Sequence, residues 1–125
     1  MPGFGSDPGF HRTPAQLAGG DAEERAAAYL AGRGLHIVSR NFRTRLGEID
    51  LIAREGDTLV FVEVRMRSAS TFGGALESIT PRKRRRIQAA AQQFLGQYRD
   101  PPRCRFDVVA LDQGDIRWLR AAFEC

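Results

Sequence analysis

The sequence predicts a single α/β domain in which a mixed β-sheet is flanked by helices. Two long segments place apolar residues at helical spacing, and they alternate with β-rich runs in the order helix, three strands, helix, further strands. The length of 125 residues suits one hydrophobic core. Contents of 42% hydrophobic and 27% charged residues are ordinary for globular proteins, so a globular domain is expected.

The first helix is predicted to run from about Asp21 to Gly34, a glycine suited to the C-terminal end of a helix. A Thr-Pro pair offers an earlier cap, but Gly19-Gly20 weakens the first turns that would follow it. The chain before this helix begins with a stretch rich in Gly and Pro. We therefore predict a flexible arm at residues 1–19 and a single domain at residues 20–125.

Glu23 lies on the inward stripe of that helix, at helical spacing from Ala26, Ala27 and Leu30. An acidic side chain on a packing face needs a partner for its charge. The sequence leaves two alternatives open, which are an ion pair with an arginine and a metal ion.

A strand at residues 35–43 and a β-hairpin are predicted to follow. The arms of the hairpin are residues 47–54 and 58–65, and both are rich in β-branched and apolar residues. Gly56-Asp57 between them is a signal for a two-residue hairpin turn. The turn sets the register of the two arms, and a three-residue loop would shift it.

This register places two acidic side chains, Asp50 and Glu63, directly opposite each other. Side chains across an antiparallel pair lie about 5 Å apart. Two carboxylates at that distance repel, and one is driven toward protonation unless a cation, most simply a divalent metal ion, lies between them. The alternative is a pair of ordinary solvent-facing residues. Ile52 and Phe61 argue against that alternative, because they are predicted to share the same face.

Arg65 is predicted to lie on the face of Glu63, with Glu48 opposite it on the partner strand. The loop at residues 68–79 contains Gly and Ser and is expected beside this end of the sheet. Loops in such places often contact ligands.

A second helix is predicted to begin at Thr80-Pro81, a capping residue followed by proline, and to end before Pro101-Pro102. Closing strands are predicted at residues 105–111 and 115–119. Asp107 shares a face with apolar residues of the first of these strands, so we expect a buried ion pair with an arginine, with a metal role as the less favoured alternative. The apolar stripe of the helix consists of Ile87, Ala91, Phe94, Leu95 and Tyr98.

The start of the second helix is strongly basic, although the helix dipole already makes that end positive. A helix N-terminus with basic side chains is suited to bind phosphate, and the alternative is a solvated basic face. The five cations of these turns are Arg82, Lys83, Arg84, Arg85 and Arg86. Arginines of the hairpin region would extend the same surface, namely Arg40, Arg43, Arg45, Arg65 and Arg67.

The whole chain carries a net charge of +4 from eighteen arginines and one lysine, against fifteen acidic residues. The arginine bias can reflect either an anionic partner or a GC-rich genome. The two cysteines, Cys104 and Cys125, form no cluster with zinc-ligand spacing. No apolar stretch of membrane length and no signal sequence is evident, so a cytoplasmic protein is expected.

The motifs together resemble those of the YraN-like bacterial proteins, an uncharacterised family similar to PD-(D/E)XK nucleases and archaeal Holliday-junction resolvases. The resemblance runs from Gly20 to Phe123. It is carried by Glu23-x-x-Ala-Ala-x-Tyr-Leu, Arg40-Asn41-Phe42-Arg43, Gly47-Glu48-Ile49-Asp50-Leu51-Ile52, Val60-Phe61-Val62-Glu63-Val64-Arg65, Lys83 with Arg86, and Arg105-Phe106-Asp107-Val108-Val109. It implies a restriction-endonuclease-like three-layer domain with an αβββαβ core.

The resemblance also implies roles for individual residues. Asp50 and Glu63 would bind Mg²⁺ or Mn²⁺, with the Val64 carbonyl as a third ligand and Glu23 in support. Arg65 stands where the nuclease motif has a lysine, and an arginine cannot act as a general base, although it can hold a phosphate. The backbone of DNA would be bound by Arg43, Arg45, Arg67, Arg82, Lys83, Arg84 and Arg86.

Three functions follow as expectations. The first is a metal-dependent endonuclease acting on DNA, with branched or structured DNA and a homodimer implied by the resemblance to resolvases. The second is a nucleic-acid-binding module of the same fold without catalysis, which the arginine at position 65 favours. The third is a protein-interaction scaffold in which the carboxylates pair with arginines.

Overall fold

A computed structural model describes residues 14–66, 79–112 and 114–124, with the side chains described from residue 20 onward. The order of elements is the predicted one, a helix, three strands, a second helix and two closing strands. These elements are α1 (Pro14–Ala31), β1 (His36–Arg43), β2 (Glu48–Glu55), β3 (Thr58–Met66), α2 (Pro81–Leu95), β4 (Arg103–Leu111) and β5 (Ile116–Phe123). Arg67 and the predicted loop at 68–79, except its last residue, lie outside the described residues.

The five strands form one mixed sheet in the order β1-β2-β3-β4-β5. Neighbouring strands are antiparallel except for β3 and β4, which are parallel. Parallel neighbours need a crossover connection, and α2 lies in the segment that makes it. The prediction of a mixed sheet flanked by helices is confirmed.

The helices cover opposite faces of the sheet, and each face has its own apolar core. Ala26, Ala27 and Leu30 of α1 pack with Val60 and Val62 of β3. On the other face, residues of α2 pack with a separate set from the same sheet, namely Ile49, Ile52, Leu59, Phe61, Phe106 and Val108. The domain therefore has three layers, with the sheet in the middle.

Helix α1 begins at Pro14, earlier than the predicted start near Asp21. Helical backbone therefore extends into the segment that we expected to be a flexible arm up to residue 19. Two glycines cost about 1 kcal/mol each relative to alanine in a helix, and this is too little to end a helix that has a proline suited to its first turn.

The end of α1 is the one predicted from Gly34. This glycine has a φ of +95°, a conformation that glycine adopts without strain. The Leu35 amide donates to the Leu30 carbonyl at 3.1 Å, and the Gly34 amide donates to the Ala31 carbonyl at 3.1 Å. This pair of hydrogen bonds satisfies the last carbonyls of the helix in the manner of a Schellman motif.

Helix α2 also begins as predicted. Thr80 is its N-cap, and the Thr80 hydroxyl accepts a hydrogen bond from the Lys83 amide at 3.1 Å. The predicted stripe is buried through Leu95, and Phe94 makes an edge-to-face contact with Phe42 at 5.3 Å between ring centroids. Tyr98 is 39% exposed and lies beyond the helix end.

The predicted register of the hairpin is confirmed, since Glu55 pairs with Thr58 and Leu51 pairs with Val62. The alternation of faces along β2, however, breaks at Asp50. Ile49 and Ile52 belong to the core under α2, whereas Leu51 belongs to the core under α1. Strict alternation would place Ile49 on the same face as Leu51.

The break coincides with a backbone irregularity in the neighbouring strand. Asn41 of β1 lies opposite this point and has a φ of +52°. On either side of Asn41 the strand β1 also changes faces, since Arg40 pairs with Glu24 of α1 while Phe42 packs with the core under α2. In both strands the side chains therefore change faces at the same point. The regular pairing of β2 with β3 ends next to Asp50, at the Leu51–Val62 pair.

Strand β5 is longer than predicted because residues of this strand donate hydrogen bonds to the Asp107 carboxylate. Asp107 is fully buried and receives two hydrogen bonds from Arg105, at 2.8 and 2.9 Å. The Trp118 indole and the Ala121 amide also donate to it, at 2.8 and 2.9 Å. The predicted buried ion pair with an arginine is confirmed.

Candidate functional site

The candidate site is centred on the place where β2 and β3 separate. The Val64 amide of β3 donates to Oδ2 of Asp50 at 2.9 Å. The regular pairs between these strands run only as far as Leu51 and Val62. The Asp50 carboxylate thus takes the position of a backbone acceptor, and it is held in the opening between two strands.

Glu63 lies next to Asp50 in this opening. It is only 4% exposed, on the α2 side of the sheet, two residues beyond the buried Phe61. The pKa of Glu63 is raised to about 8, chiefly by burial and also by the charge of Asp50, which lies within hydrogen-bonding reach. The structure thus brings together the two carboxylates that the hairpin register predicted.

Two cations border Glu63, and their charges lower its pKa against the effects of burial and Asp50. Arg65 Nε lies 3.4 Å and Lys83 Nζ lies 3.6 Å from Oε2 of Glu63. Arg65 was predicted to face Glu48, but Glu48 pairs instead with Arg43 of β1 at 3.3 Å. The reason is the separation of β2 from β3, which carries Glu48 away from Arg65.

Glu23 of α1 approaches Asp50 from the other layer. The pKa of Glu23 is raised to about 7, chiefly by burial and also by the nearby charges of Asp50 and Glu48. Asn41 donates a hydrogen bond to Glu23, and this bond lowers the pKa of Glu23. Glu23 thus lies beside Asp50 and Asn41, while Arg40 pairs with the neighbouring Glu24. The metal alternative for Glu23 stays a prediction.

Sequence reasoning assigned no role to Asn41. The signal that could have found it is its residue type, because asparagine is one of the few residues that adopt a left-handed conformation readily. An asparagine inside a strand opposite an acidic residue indicates a local distortion of the sheet at that residue.

The donors available for a metal are two carboxylates and a backbone oxygen. In an extended strand the N–H and C=O of one residue point to the same neighbouring strand, so the Val64 carbonyl faces the opening as its amide does. No group of three or more His, Cys, Asp or Glu side chains within the described ranges is arranged to hold a metal ion. The oxygens of Asp50, Glu63 and the Val64 carbonyl are of the kind that hard divalent cations prefer.

A cavity of about 290 Å³ adjoins the site, between the β1–β2 turn and the start of α2. Three basic residues line it, namely Arg43, Lys83 and Arg86, and the rest of the lining is the acidic Glu48 with Thr44, Gly47 and Ile87. Lys83 thus borders both the cavity and Glu63. The structure brings these three predicted DNA contacts together.

The remaining basic residues are distributed differently. Arg84 turns away from the cavity, since its Nε donates to the Ile79 carbonyl at 3.2 Å and its guanidinium lies 5.7 Å from the Phe123 ring centroid. Arg45 and Arg82 are exposed. The structure therefore separates Arg84 from the cations with which the sequence grouped it.

Gly47 allows the β1–β2 turn to approach α2, and sequence reasoning missed this contact. A Cβ at position 47 would lie 2.2 Å from the Arg86 carbonyl oxygen. The turn itself is fixed by Thr44, whose hydroxyl accepts from the Leu46 and Gly47 amides, at 3.0 Å each. The width of the cavity depends on this close approach.

Among the helices of the described ranges, none has both the length and the apolar character needed to span a bilayer. Fold and site together define a class, an α/β/α domain with a buried acidic pair at an opening in its sheet and a basic cavity beside it. Within that class the chain belongs to the Uncharacterised protein family UPF0102, the YraN-like proteins, whose profile matches residues 22–111.

Curated relatives support this assignment. A UPF0102 protein of Herminiimonas arsenicoxydans is 50% identical over 113 residues, covering 90% of this chain and 91% of the relative. A UPF0102 protein of Cupriavidus necator is 51% identical over 125 residues, covering 99% of this chain and 94% of the relative. Membership of the YraN-like family, which the motifs predicted, is therefore confirmed.

Proposed function

We propose that this protein is a Mg²⁺-dependent endonuclease that acts on DNA. The observation that carries the proposal is the adjacency of Asp50 and Glu63 in the opening of the sheet. A buried carboxylate with a pKa raised to about 8 by burial and by a neighbouring carboxylate is a favourable partner for a divalent cation. Strongly perturbed carboxylates of this kind concentrate at functional sites.

The residues present fit Mg²⁺ or Mn²⁺ at this position. Both ions prefer oxygen ligands, and Mg²⁺ in particular is bound through one or two carboxylates while it keeps several waters. Asp50 and Glu63 would hold the ion with the Val64 carbonyl, and Glu23 would fix the Asp50 carboxylate from α1. A bound ion would neutralise phosphate charge and lower the pKa of a bound water.

The cations of the site would hold the DNA strand. Arg43, Lys83 and Arg86 line the cavity next to Glu63, so a phosphate entering it lies beside the acidic pair. Arg65 would contribute charge and hydrogen bonds from β3. Hydrolysis forms a bond from the water oxygen to phosphorus and breaks the bond from phosphorus to the leaving sugar oxygen. The water gives up a proton to solvent, and the leaving sugar oxygen takes up a proton from solvent.

The finer parts of the proposal rest on the resemblance given by the motifs. The three-layer arrangement with αβββαβ order supports a restriction-endonuclease-like fold, and the similarity to resolvases supports branched DNA as substrate and a homodimer. Such support is an analogy at the level of the fold.

The test is a cleavage assay on branched, flapped and linear DNA with Mg²⁺ or Mn²⁺. Wild-type protein is expected to cleave at least one substrate, and Glu63→Ala and Asp50→Ala are expected to abolish cleavage. Glu24→Gln is the matched control, because it removes a neighbouring exposed carboxylate and should leave cleavage intact. Equal activity of wild type and Glu63→Ala would refute the proposal.

A second candidate function is DNA binding without catalysis, which the arginine at position 65 favours. In that case binding requires no divalent ion, and Asp50→Ala leaves DNA affinity unchanged or increased. A protein-interaction scaffold predicts neither cleavage nor a steep decrease of DNA affinity with salt concentration.

A further inference from the structure

We propose that Leu46, at the apex of the β1–β2 turn, inserts into the base stack of bound DNA, so that the protein selects DNA whose stacking is already interrupted. A nick, an unpaired base and a branch point are interruptions of this kind. The inference rests on the proposed function, and it adds a contact with bases to the phosphate contacts proposed for the cations.

The exposure of Leu46 is the first observation. Its side chain belongs to a residue that is 51% exposed, and the other large exposed hydrophobic residues within the described ranges are Met66 and Tyr98. Tyr98 still contacts Phe94, at 6.0 Å between ring centroids, and Met66 ends β3. A single exposed leucine is common on protein surfaces, so the turn that carries Leu46 decides whether it has a function.

The turn holds Leu46 in a fixed position. The Leu46 amide donates to the Thr44 hydroxyl at 3.0 Å, and the Thr44 amide donates to the Gly47 carbonyl at 2.8 Å. Gly47 is buried and lies too close to the Arg86 carbonyl of α2 for a Cβ to fit between them. The helix therefore supports the turn from behind. A side chain on a supported turn loses little conformational freedom when it inserts between bases, and this favours binding.

The charges around the turn indicate DNA as the partner of Leu46. The turn forms one wall of the basic cavity, because Thr44 and Gly47 belong to the lining. Glu48, the acidic residue of this lining, pairs with Arg43 at 3.3 Å. The cations that α2 contributes to the lining are Lys83 and Arg86. A strand whose phosphates occupy this cavity carries its bases past the turn, where an apolar side chain can take the place of a stacked base.

The preference for interrupted DNA follows from the free energy of unstacking. Opening a base step in an intact duplex is unfavourable, and this cost offsets the gain from burying Leu46. At a nick or an unpaired base the stack is already weakened, so the cost is smaller. Because half of Leu46 is still open to solvent, burying it against bases is expected to raise the affinity for interrupted DNA roughly 10-fold.

The test compares the DNA affinity of the full chain with that of Leu46→Ala. Fluorescence anisotropy is measured with Ca²⁺ in place of Mg²⁺ to prevent cleavage, on a linear duplex and on the same duplex with one unpaired base. Leu46→Ala is expected to lower affinity for the interrupted duplex roughly 10-fold and to leave affinity for the linear duplex nearly unchanged. Leu46→Met, which keeps a large apolar side chain, is expected to restore the preference.

Arg45→Gln is the matched control at the neighbouring position of the same turn. Removing a cation weakens phosphate contacts on both probes alike, so the ratio of the two affinities should stay at the wild-type value. A 2-aminopurine next to the unpaired base gives a second readout, because its fluorescence increases when it is unstacked. The fluorescence should increase when wild-type protein or Arg45→Gln binds and should stay unchanged when Leu46→Ala binds.

The outcomes separate this inference from the proposed function. If wild-type protein binds DNA and Leu46→Ala leaves the ratio of the two affinities unchanged, Leu46 does not insert between bases, while the proposed function stands. A change of oligomeric state in Leu46→Ala with no change in that ratio would assign the side chain to a contact between two copies of the chain, and this also overturns the inference. If wild-type protein binds neither probe, the proposed function falls together with it.

Discussion

The Val64 amide and the Asp50 carboxylate lie 2.9 Å apart and replace a backbone pair between β2 and β3. This one contact keeps the strands hydrogen-bonded while it opens the sheet. It also fixes Asp50 beside Glu63, so that ionisation of Glu63 is disfavoured by burial and by the Asp50 charge. The site therefore reduces the stability of the metal-free protein, and this leads to measurable consequences.

Glu63→Gln is expected to stabilise the metal-free protein. The substitution keeps the shape of the side chain and removes a buried charge that burial and Asp50 both disfavour. At pH 8 we expect the free energy of unfolding in urea to rise by about 0.5–2 kcal/mol, the range typical of single stabilising substitutions. Glu55→Gln should have the opposite effect, because Arg105 and Arg120 lower the pKa of Glu55 and stabilise its charge. A less stable Glu63→Gln protein would show that the ion pairs of Glu63 outweigh its repulsion.

The stability of the metal-free protein is expected to fall as pH rises from about 4.5 to about 8. The pKa of Glu63 is raised from 4.5 to about 8 and that of Glu23 to about 7. Below 4.5 both groups are protonated in the folded and unfolded states. Above it the unfolded chain releases protons that the folded protein retains, so stability is lost until the folded groups also ionise.

Thermal unfolding followed by circular dichroism between pH 5 and pH 8 would measure this dependence. Mg²⁺ should raise the unfolding temperature most at the upper end of the range, because it stabilises the ionised carboxylates. In Glu63→Gln the fall with pH should be smaller and the effect of Mg²⁺ weaker. A wild-type profile that is flat in EDTA would contradict the raised pKa values.

Asp107→Asn is expected to destabilise the fold without affecting the proposed metal site. The buried carboxylate receives hydrogen bonds from Arg105, Trp118 and Ala121, and removing one partner of a buried ion pair costs about 3 kcal/mol or more. The free energy of unfolding should decrease by that amount. The increase in unfolding temperature caused by Mg²⁺ should remain, and its loss would mean that Asp107 contributes to the site after all.

The elements and the hairpin register could be predicted from local signals. Gly34 ends α1, Thr80 caps α2, and the Gly56-Asp57 turn places Glu55 opposite Thr58. Each of these depends on residues that are close in the sequence, whose preferences do not need the rest of the fold.

The shape of the site could not be predicted in this way. The opening at Asp50 coincides with the distortion at Asn41 in another strand, while β3 stays paired with β4. Likewise, Glu23 reaches Asp50 only because α1 packs across the sheet. Carboxylate pairing was predictable from the turn, whereas the burial that raises the pKa of Glu63 required the complete three-layer packing.

Gly47→Ala is expected to disrupt the basic cavity while leaving the acidic pair in place. The added Cβ would lie 2.2 Å from the Arg86 carbonyl oxygen and 2.7 Å from its carbonyl carbon. Both are backbone atoms of α2, so they cannot move away as a flexible side chain could. The β1–β2 turn must therefore move away from α2, which carries Arg43 away from Arg86. We expect a loss of about 1–3 kcal/mol in the free energy of unfolding, as for an overpacked core, and weaker DNA binding with Mg²⁺ affinity retained. Gly114→Ala is the control, because its Cβ would meet nothing within 4 Å. If Gly47→Ala binds DNA as tightly as Gly114→Ala does, the cavity is not part of the DNA-binding surface.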